Sequence, residues 1–137
     1  MKKLLKNRVV GISSSGGHLT ELQSAIPNNL LGDITYVTSE DGRTRESLNT
    51  LDHFFISEPN GVKWKYAHNI FQAVVLFFKL RPLVVISTGS GLAVPFLLIS
   101  KFFGSKIIFI ESGARIYSAS KAGKFMYKYS DIFLVQY

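Results

Sequence analysis

Apolar residues in this chain fall into short continuous runs separated by segments of helical spacing, and the two kinds alternate from end to end. Runs such as Val9-Val10-Gly11-Ile12, Leu83-Val84-Val85-Ile86 and Ile107-Ile108-Phe109-Ile110 lack polar alternation. Strands of that kind are buried on both faces, as in a parallel sheet. The pattern predicts strands at about Arg8 to Ser13, Ile34 to Thr38, His53 to Ser57, Leu83 to Ile86, Lys106 to Glu111 and Ile132 to Val135. Helices are expected from about Gly17 to Ile26, briefly within Glu40 to Thr50, from Lys63 to Leu80, up to about Phe103, and near Lys121 to Tyr129. Pro27-Asn28-Asn29 stops the first helix and Arg81-Pro82 the third, and Gly104 suits the C-cap of the fourth. Six strands with intervening helices define an α/β chain, a Rossmann-like doubly wound parallel sheet in one domain over residues 1–137. Right-handed crossovers then place the first and fourth strands side by side, at the point where strand order reverses.

The third helical segment departs from an ordinary surface helix. A helix lying on a sheet needs one apolar stripe, yet Ala73 to Phe78 is apolar all round, with Lys63, Lys65, Lys79 and Arg81 at its flanks. The excess points to a second face that meets a membrane interface or a partner, with Trp64, Lys65, Phe71, Phe77, Phe78 and Lys79 as the contact residues. No uninterrupted apolar stretch reaches the ~20 residues that span a bilayer. The basic start, Lys2 to Arg8, leads directly into the first strand and is not followed by the apolar core of a signal peptide.

Composition adds two constraints. Sixteen basic against nine acidic residues leave a net charge of +7, which favours anionic partners such as a membrane surface or a phosphorylated ligand. No nucleic-acid-binding motif accompanies that charge, so nucleic acid is not an expected partner. The chain has no cysteine, which excludes disulfides and thiolate metal sites and fits a cytosolic protein. His53 and His68 are not placed with carboxylates at metal-ligand spacing, and no metal is expected.

Candidate chemistry sits at the strand ends. Ser13-Ser14-Ser15-Gly16-Gly17-His18 joins the first strand to the first helix, and glycines there let a ligand approach the backbone. The N–H groups of the helix that follows favour an anion. This loop is neither a G-x-G-x-x-G dinucleotide fingerprint nor a Walker A loop. A second loop, Ser87-Thr88-Gly89-Ser90-Gly91, follows the fourth strand; it could offer backbone N–H groups and hydroxyls to a second phosphate, and taken alone it reads equally as a tight strand-to-helix connection with no ligand. His18 falls in the first helical turn, and histidine, with an ordinary pKa of roughly 6.5, suits a general base near neutral pH. A glycine turn serving packing alone, with a solvated histidine, accounts for the same spacing equally well. Glu111 closes the fifth strand at the rim where α/β proteins bind ligands. It is placed to take a hydroxyl proton or bind a sugar hydroxyl, or else to cap a helix or brace a loop, with Arg115 either its ion-pair partner or a phosphate ligand.

Taken together and in order, Ser15-Gly16-Gly17-His18, Ser87 to Gly91 with Pro95, Ile110-Glu111-Ser112 with Arg115, and Phe133-Leu134-Val135-Gln136 resemble a known family. They are similar to the acceptor-side, membrane-anchor subunits of split two-chain glycosyltransferases. The eukaryotic subunit of the UDP-GlcNAc transferase acting on dolichol-diphosphate-GlcNAc is one, and bacterial capsular and exopolysaccharide homologues are others. More distantly the chain resembles the N-terminal half of MurG. The resemblance implies one half of a GT-B enzyme, whose nucleotide-sugar domain would be a separate chain. No cofactor would be tightly bound; the UDP-sugar donor, carrying GlcNAc, Gal or a similar sugar, would lie mainly on the partner.

On that resemblance this chain would bind a polyprenyl-diphosphate-sugar acceptor at the cytoplasmic face of the cell membrane. Ser15, Gly16, Gly17, Thr88, Gly89, Ser90, Gly91, Ser112 and Arg115 would surround the diphosphate. His18 or Glu111 would deprotonate the acceptor hydroxyl. Eukaryotic members carry an N-terminal transmembrane helix; here Lys2 to Arg8 and Trp64 to Arg81 are expected to make the membrane contact, peripherally. Members also usually continue past the Val-Gln pair into a tail that helps hold the partner. Two other readings stay open: a non-catalytic recruiter of a separately competent transferase, and an unrelated nucleotide-binding Rossmann domain.

Overall fold

A computed structural model of the chain describes residues 8–26, 33–49, 51–59, 61–89, 91–111 and 118–135. Lys2 to Asn7, Ser90, Ser112, Arg115 and Gln136 lie outside the described residues. The elements run β1 (Val9–Ser13), α1 (Gly17–Ala25), β2 (Ile34–Thr38), α2 (Gly42–Ser47), β3 (His53–Phe55), α3 (Lys63–Leu80), β4 (Val84–Gly89), α4 (Val94–Phe102), β5 (Lys106–Ile110), α5 (Lys121–Tyr127) and β6 (Ile132–Leu134). The strands form one sheet of order β3-β2-β1-β4-β5-β6, and every pairing is parallel. β1 and β4 are neighbours, as the crossover argument requires, so their C-terminal ends open on one edge at the switch point.

Each sheet face is covered by helices, which is why the strands read as unbroken apolar runs. Leu19, Leu22 and Ile26 of the α1 region pack with Ile34, Tyr36 and Leu48 on one face. Residues of α3, α4 and α5, among them Ala73, Leu76, Phe96, Leu97 and Met126, cover the other face over Val10, Ile12, Val85 and Ile107. Gly11 is the point of closest approach to α1: a Cβ there would lie 3.1 Å from Leu22 Cδ2.

Two strand ends differ from the sequence pattern. β3 stops at Phe55, not Ser57, because α3 takes over the backbone of Ser57: its N–H donates to Gln72 Oε1 at 2.8 Å and its carbonyl accepts from Asn69 Nδ2 at 2.8 Å. β4 runs on to Gly89, three residues beyond the expected end, because Ser13 pairs with Gly89. The first part of the second glycine loop is therefore strand.

Tyr36 is fully buried, and its hydroxyl has no hydrogen-bond partner among the described residues. Such an orphaned hydroxyl costs roughly 1–3 kcal/mol in desolvation. Tyr36→Phe is therefore expected to stabilise the fold by about 1 kcal/mol in urea melts at pH 8. Burial also raises the Tyr36 pKa above its ordinary 10.0. The neutral phenol is then the folded form: its contribution is intact below pH ~10 and lost as pH rises through the folded pKa. The advantage of the Phe variant should accordingly widen between pH 8 and pH 10.5, and an unchanged difference would argue against burial of this hydroxyl.

Candidate functional site

The site is built where β1 and β4 end. Ile12 pairs with Ser87 but Ser13 pairs with Gly89, so Thr88 is an extra residue on β4. Such a bulge re-aims the backbone. Gly89 takes φ +107 just after it, a conformation that side-chain-bearing residues rarely adopt. The consequence is a direct bond between the two loops. His18 Nδ1 lies 3.0 Å from the Thr88 carbonyl oxygen, and Thr88 Oγ1 donates to the His18 carbonyl at 2.5 Å. A carbonyl oxygen only accepts, so Nδ1 carries the proton of this bond and the lone pair of the neutral ring is on Nε2. The half-buried imidazole also borders Gly89, where a Cβ would come within 3.9 Å of His18 Cε1.

Gly16 is the N-cap of α1, with φ +85 and no side-chain cap. A Cβ at Gly16 or at Gly17 would meet nothing within 4 Å. The first turn of α1 thus presents uncapped backbone N–H groups beside open space, a combination that favours an anion. Ser15 is held next to it by Ser39, whose Oγ accepts from Ser15 N at 3.1 Å and donates to Ser15 Oγ at 3.0 Å. Across the crevice, Gly91 lies beside Tyr66, with 3.6 Å from its Cβ position to the phenol oxygen. Asn69 ties this region together: its Nδ2 donates to both the Ser57 and Leu92 carbonyls, at 2.8 and 3.2 Å.

Glu111 follows β5 at the same edge of the sheet but is only 1% exposed. Its Oε2 accepts from Ser120 N at 2.9 Å and from Ser120 Oγ at 3.2 Å, while Ser120 Oγ caps α5 by accepting from Gly123 N at 2.9 Å. This carboxylate therefore anchors the end of β5 to the start of α5, the loop-bracing role, with Ser120 as a partner that the spacing of residues did not suggest.

On α3 the buried residues are Asn69, Ala73, Leu76 and Phe77, a helical stripe against the sheet. Phe77 belongs to that inner stripe, being 5% exposed and stacked on Phe103 at 5.0 Å, so it does not join the outward surface with which the sequence grouped it. In an all-apolar run the periodicity carries no sign of which residue faces in. Trp64, Phe71 and Phe78 do face outward, 68%, 67% and 46% exposed, and Phe102 and Phe103 of the α4 end extend the patch. Lys65 lies over the Trp64 ring and Lys79 over Phe54. Among the described residues no helix is long and apolar enough to cross a membrane.

A polar cavity of about 440 Å³ adjoins Ser15 at the exits of β1, β2 and β3. The chain announced it through a repeated dipeptide, Ser39-Glu40 and Ser57-Glu58, each just past a strand. Parallel strands bring both to one edge.

An all-parallel 3-2-1-4-5-6 sheet, with two small-residue loops bonded together at its switch point, defines a unit of the doubly wound, Rossmann-like class. The family described as "Oligosaccharide biosynthesis protein Alg14 like" matches residues 60–137. The UDP-N-acetylglucosamine transferase subunit ALG14 of Candida albicans is 30% identical over 162 aligned positions, which cover 99% of this chain and 74% of that protein. The chain belongs to the Alg14-like family of oligosaccharide biosynthesis proteins. Among solved structures, MurG of Acinetobacter baumannii superposes with a TM-score of 0.69 at 16% identity, over 94% of this chain and 41% of that one. The UDP-GlcNAc 2-epimerase of Methanocaldococcus jannaschii gives 0.57 at 16% identity, over 80% of this chain and 33% of its own. At such identity these two show the shared fold, and this chain spans less than half of either.

Proposed function

We propose that this chain is the acceptor-binding subunit of a two-chain glycosyltransferase that moves a sugar from a UDP-sugar to a polyprenyl-diphosphate-linked sugar. The observation that carries this reading is the bond between His18 and Thr88, which couples a candidate base to two anion-binding loops. The acceptor diphosphate lies against the first turn of α1 at Gly16 and Gly17 and against Gly89 and Gly91. His18 Nε2, with its lone pair available, accepts the proton of the acceptor hydroxyl as that oxygen attacks the anomeric carbon; UDP departs with the electrons of the broken bond. Glu111, enclosed beneath α5, positions the rim and leaves proton transfer to His18.

The donor is held by a separate chain. That ALG14 of C. albicans is named as a transferase subunit supports this division. The outward face of α3, with Trp64, Phe71 and Phe78 bordered by Lys65 and Lys79, rests on the membrane surface and keeps the crevice near a lipid-linked substrate.

Reconstitution tests the reading. Radiolabelled UDP-sugars are offered to polyprenyl-diphosphate-sugar in vesicles, with this chain, with the donor-binding chain from the same genome, and with both. Transfer is expected only with both present. Equal transfer by the donor-binding chain alone would reduce this chain to an accessory, and transfer by this chain alone would contradict the division of labour.

A further inference from the structure

The polar cavity beside Ser15 differs in chemistry from the rest of the chain. Its lining is Ser15, Ser39, Glu40, Ser57, Glu58 and Gln72 with Phe55 and Ile56, and among the described residues no lysine or arginine lines it, although the whole chain carries +7. Two carboxylates repel a phosphate, so the cavity is no extension of the anion site. Its volume lies within the roughly 300–1,000 Å³ of small-molecule sites.

The polar groups in it are only partly used. Glu40 is paired with Arg45, whereas Glu58 makes no hydrogen bond or ion pair among the described residues. Gln72 spends its Oε1 on Ser57 N, and its NH₂ group remains as a donor of two hydrogen bonds. Ser57 Oγ is buried without a partner among the described residues. A carboxylate acceptor, an amide donor and a hydroxyl of either role, side by side, match vicinal hydroxyls, each of which both donates and accepts. A neutral polyhydroxylated ring satisfies all of them; a phosphate accepts from the amide and the hydroxyl but is repelled by the Glu58 carboxylate, and an apolar group satisfies none.

We infer that this cavity is a pyranose subsite that receives the sugar of the acceptor, with Glu58 accepting from one hydroxyl and Gln72 donating to its neighbour. The inference rests on the acceptor reading above for the origin of the sugar, not for the chemistry of the cavity. Ser15 joins the two regions, since it lines the cavity and immediately precedes Gly16. A diphosphate at the glycine loops then has its attached sugar within reach of the cavity.

Calorimetric titration of the full chain tests this with three kinds of probe. These are a ten-carbon prenyl diphosphate, the same diphosphate bearing glucose, galactose or N-acetylglucosamine, and the three methyl glycosides. Wild-type protein should bind one sugar-bearing diphosphate about tenfold more tightly than the bare diphosphate. Glu58→Ala should abolish that increment while leaving affinity for the bare diphosphate unchanged. Ser57→Ala, which keeps both backbone bonds of Ser57, should reduce the increment, and unchanged melting curves for both variants would exclude misfolding. Equal binding of sugar-bearing and bare diphosphates by wild type, or an increment that survives in Glu58→Ala, would overturn the subsite and leave the acceptor reading intact. Binding of a methyl glycoside that is lost in Glu58→Ala, with no binding of any diphosphate, would support the subsite and sink the acceptor reading. No binding of any probe would overturn both.

Discussion

Replacing His18 by alanine is expected to lower sugar transfer by the reconstituted two-chain enzyme by about 10²–10⁴-fold, the usual contribution of a positioned general base. The ring sits where the two glycine loops meet, and its Nδ1 is committed to the Thr88 carbonyl. Alanine removes that bond together with the base, so a second variant is needed to separate them. His18→Asn places an amide N–H near Nδ1, able to donate to Thr88, but has no basic nitrogen in place of Nε2. If proton transfer is the role of His18, both variants lose kcat alike while acceptor KM changes little. Recovery of most activity in His18→Asn would make His18 a structural clasp between the loops. Full activity in both variants, with the two-chain complex intact, would favour the recruiter reading, in which the crevice performs no chemistry. Initial rates at saturating donor and acceptor decide among these outcomes.

Gly123→Ala carries the largest expected effect on stability. A Cβ at this position would overlap Glu111 Oε2 and lie 2.9 Å from its Cδ and 3.0 Å from Ser120 Oγ. The carboxylate is 1% exposed and has no room to retreat while it keeps its bonds to Ser120. Either the first turn of α5 shifts or a buried charge loses its partners, and each route costs about 2–4 kcal/mol. For a domain of this size that corresponds to a fall in Tm of roughly 10 °C. The double variant Gly123→Ala with Glu111→Ala should lose less than the sum of the two single changes, because removing the carboxylate frees the space that the methyl group needs. Strict additivity, or an unchanged Tm for Gly123→Ala, would show that Glu111 is not seated against α5. The same melts bear on function: if Glu111 only braces the rim, Glu111→Gln should weaken stability more than it slows transfer.

Much of this molecule was legible along the chain because burial on both faces writes itself into composition. Val9 to Ile12, Val84 to Ile86 and Ile107 to Ile110 have no polar alternation, and each proved to be a strand; β1 and β4 contribute to the cores on both sides of the sheet. Pro82 and Gly104 punctuate the ends of α3 and α4 where expected, since each acts on the local backbone alone. The adjacency of β1 and β4, and hence the shared edge of the two glycine loops, followed from crossover handedness. Fold class, the adjacency of β1 and β4 and the shared edge of the two loops were thus determined by rules that do not depend on which side chains meet.

What the tertiary structure decided are the matters that depend on such meetings. The bulge that turns Thr88 toward His18 arises from a register shift between strands some seventy residues apart, and nothing in Ser87-Thr88-Gly89 alone announces it. The inward placement of Phe77 is set by its stack on Phe103, within a run where every residue is equally apolar. The enclosure of Glu111 depends on a glycine twelve residues later that leaves room for it. Periodicity and propensity act over one or two turns of chain, whereas the partner of a side chain at a site is chosen by packing across the whole sheet. For that reason the sequence by itself determined where the two glycine loops lie, and only the folded structure decided which of their atoms meet.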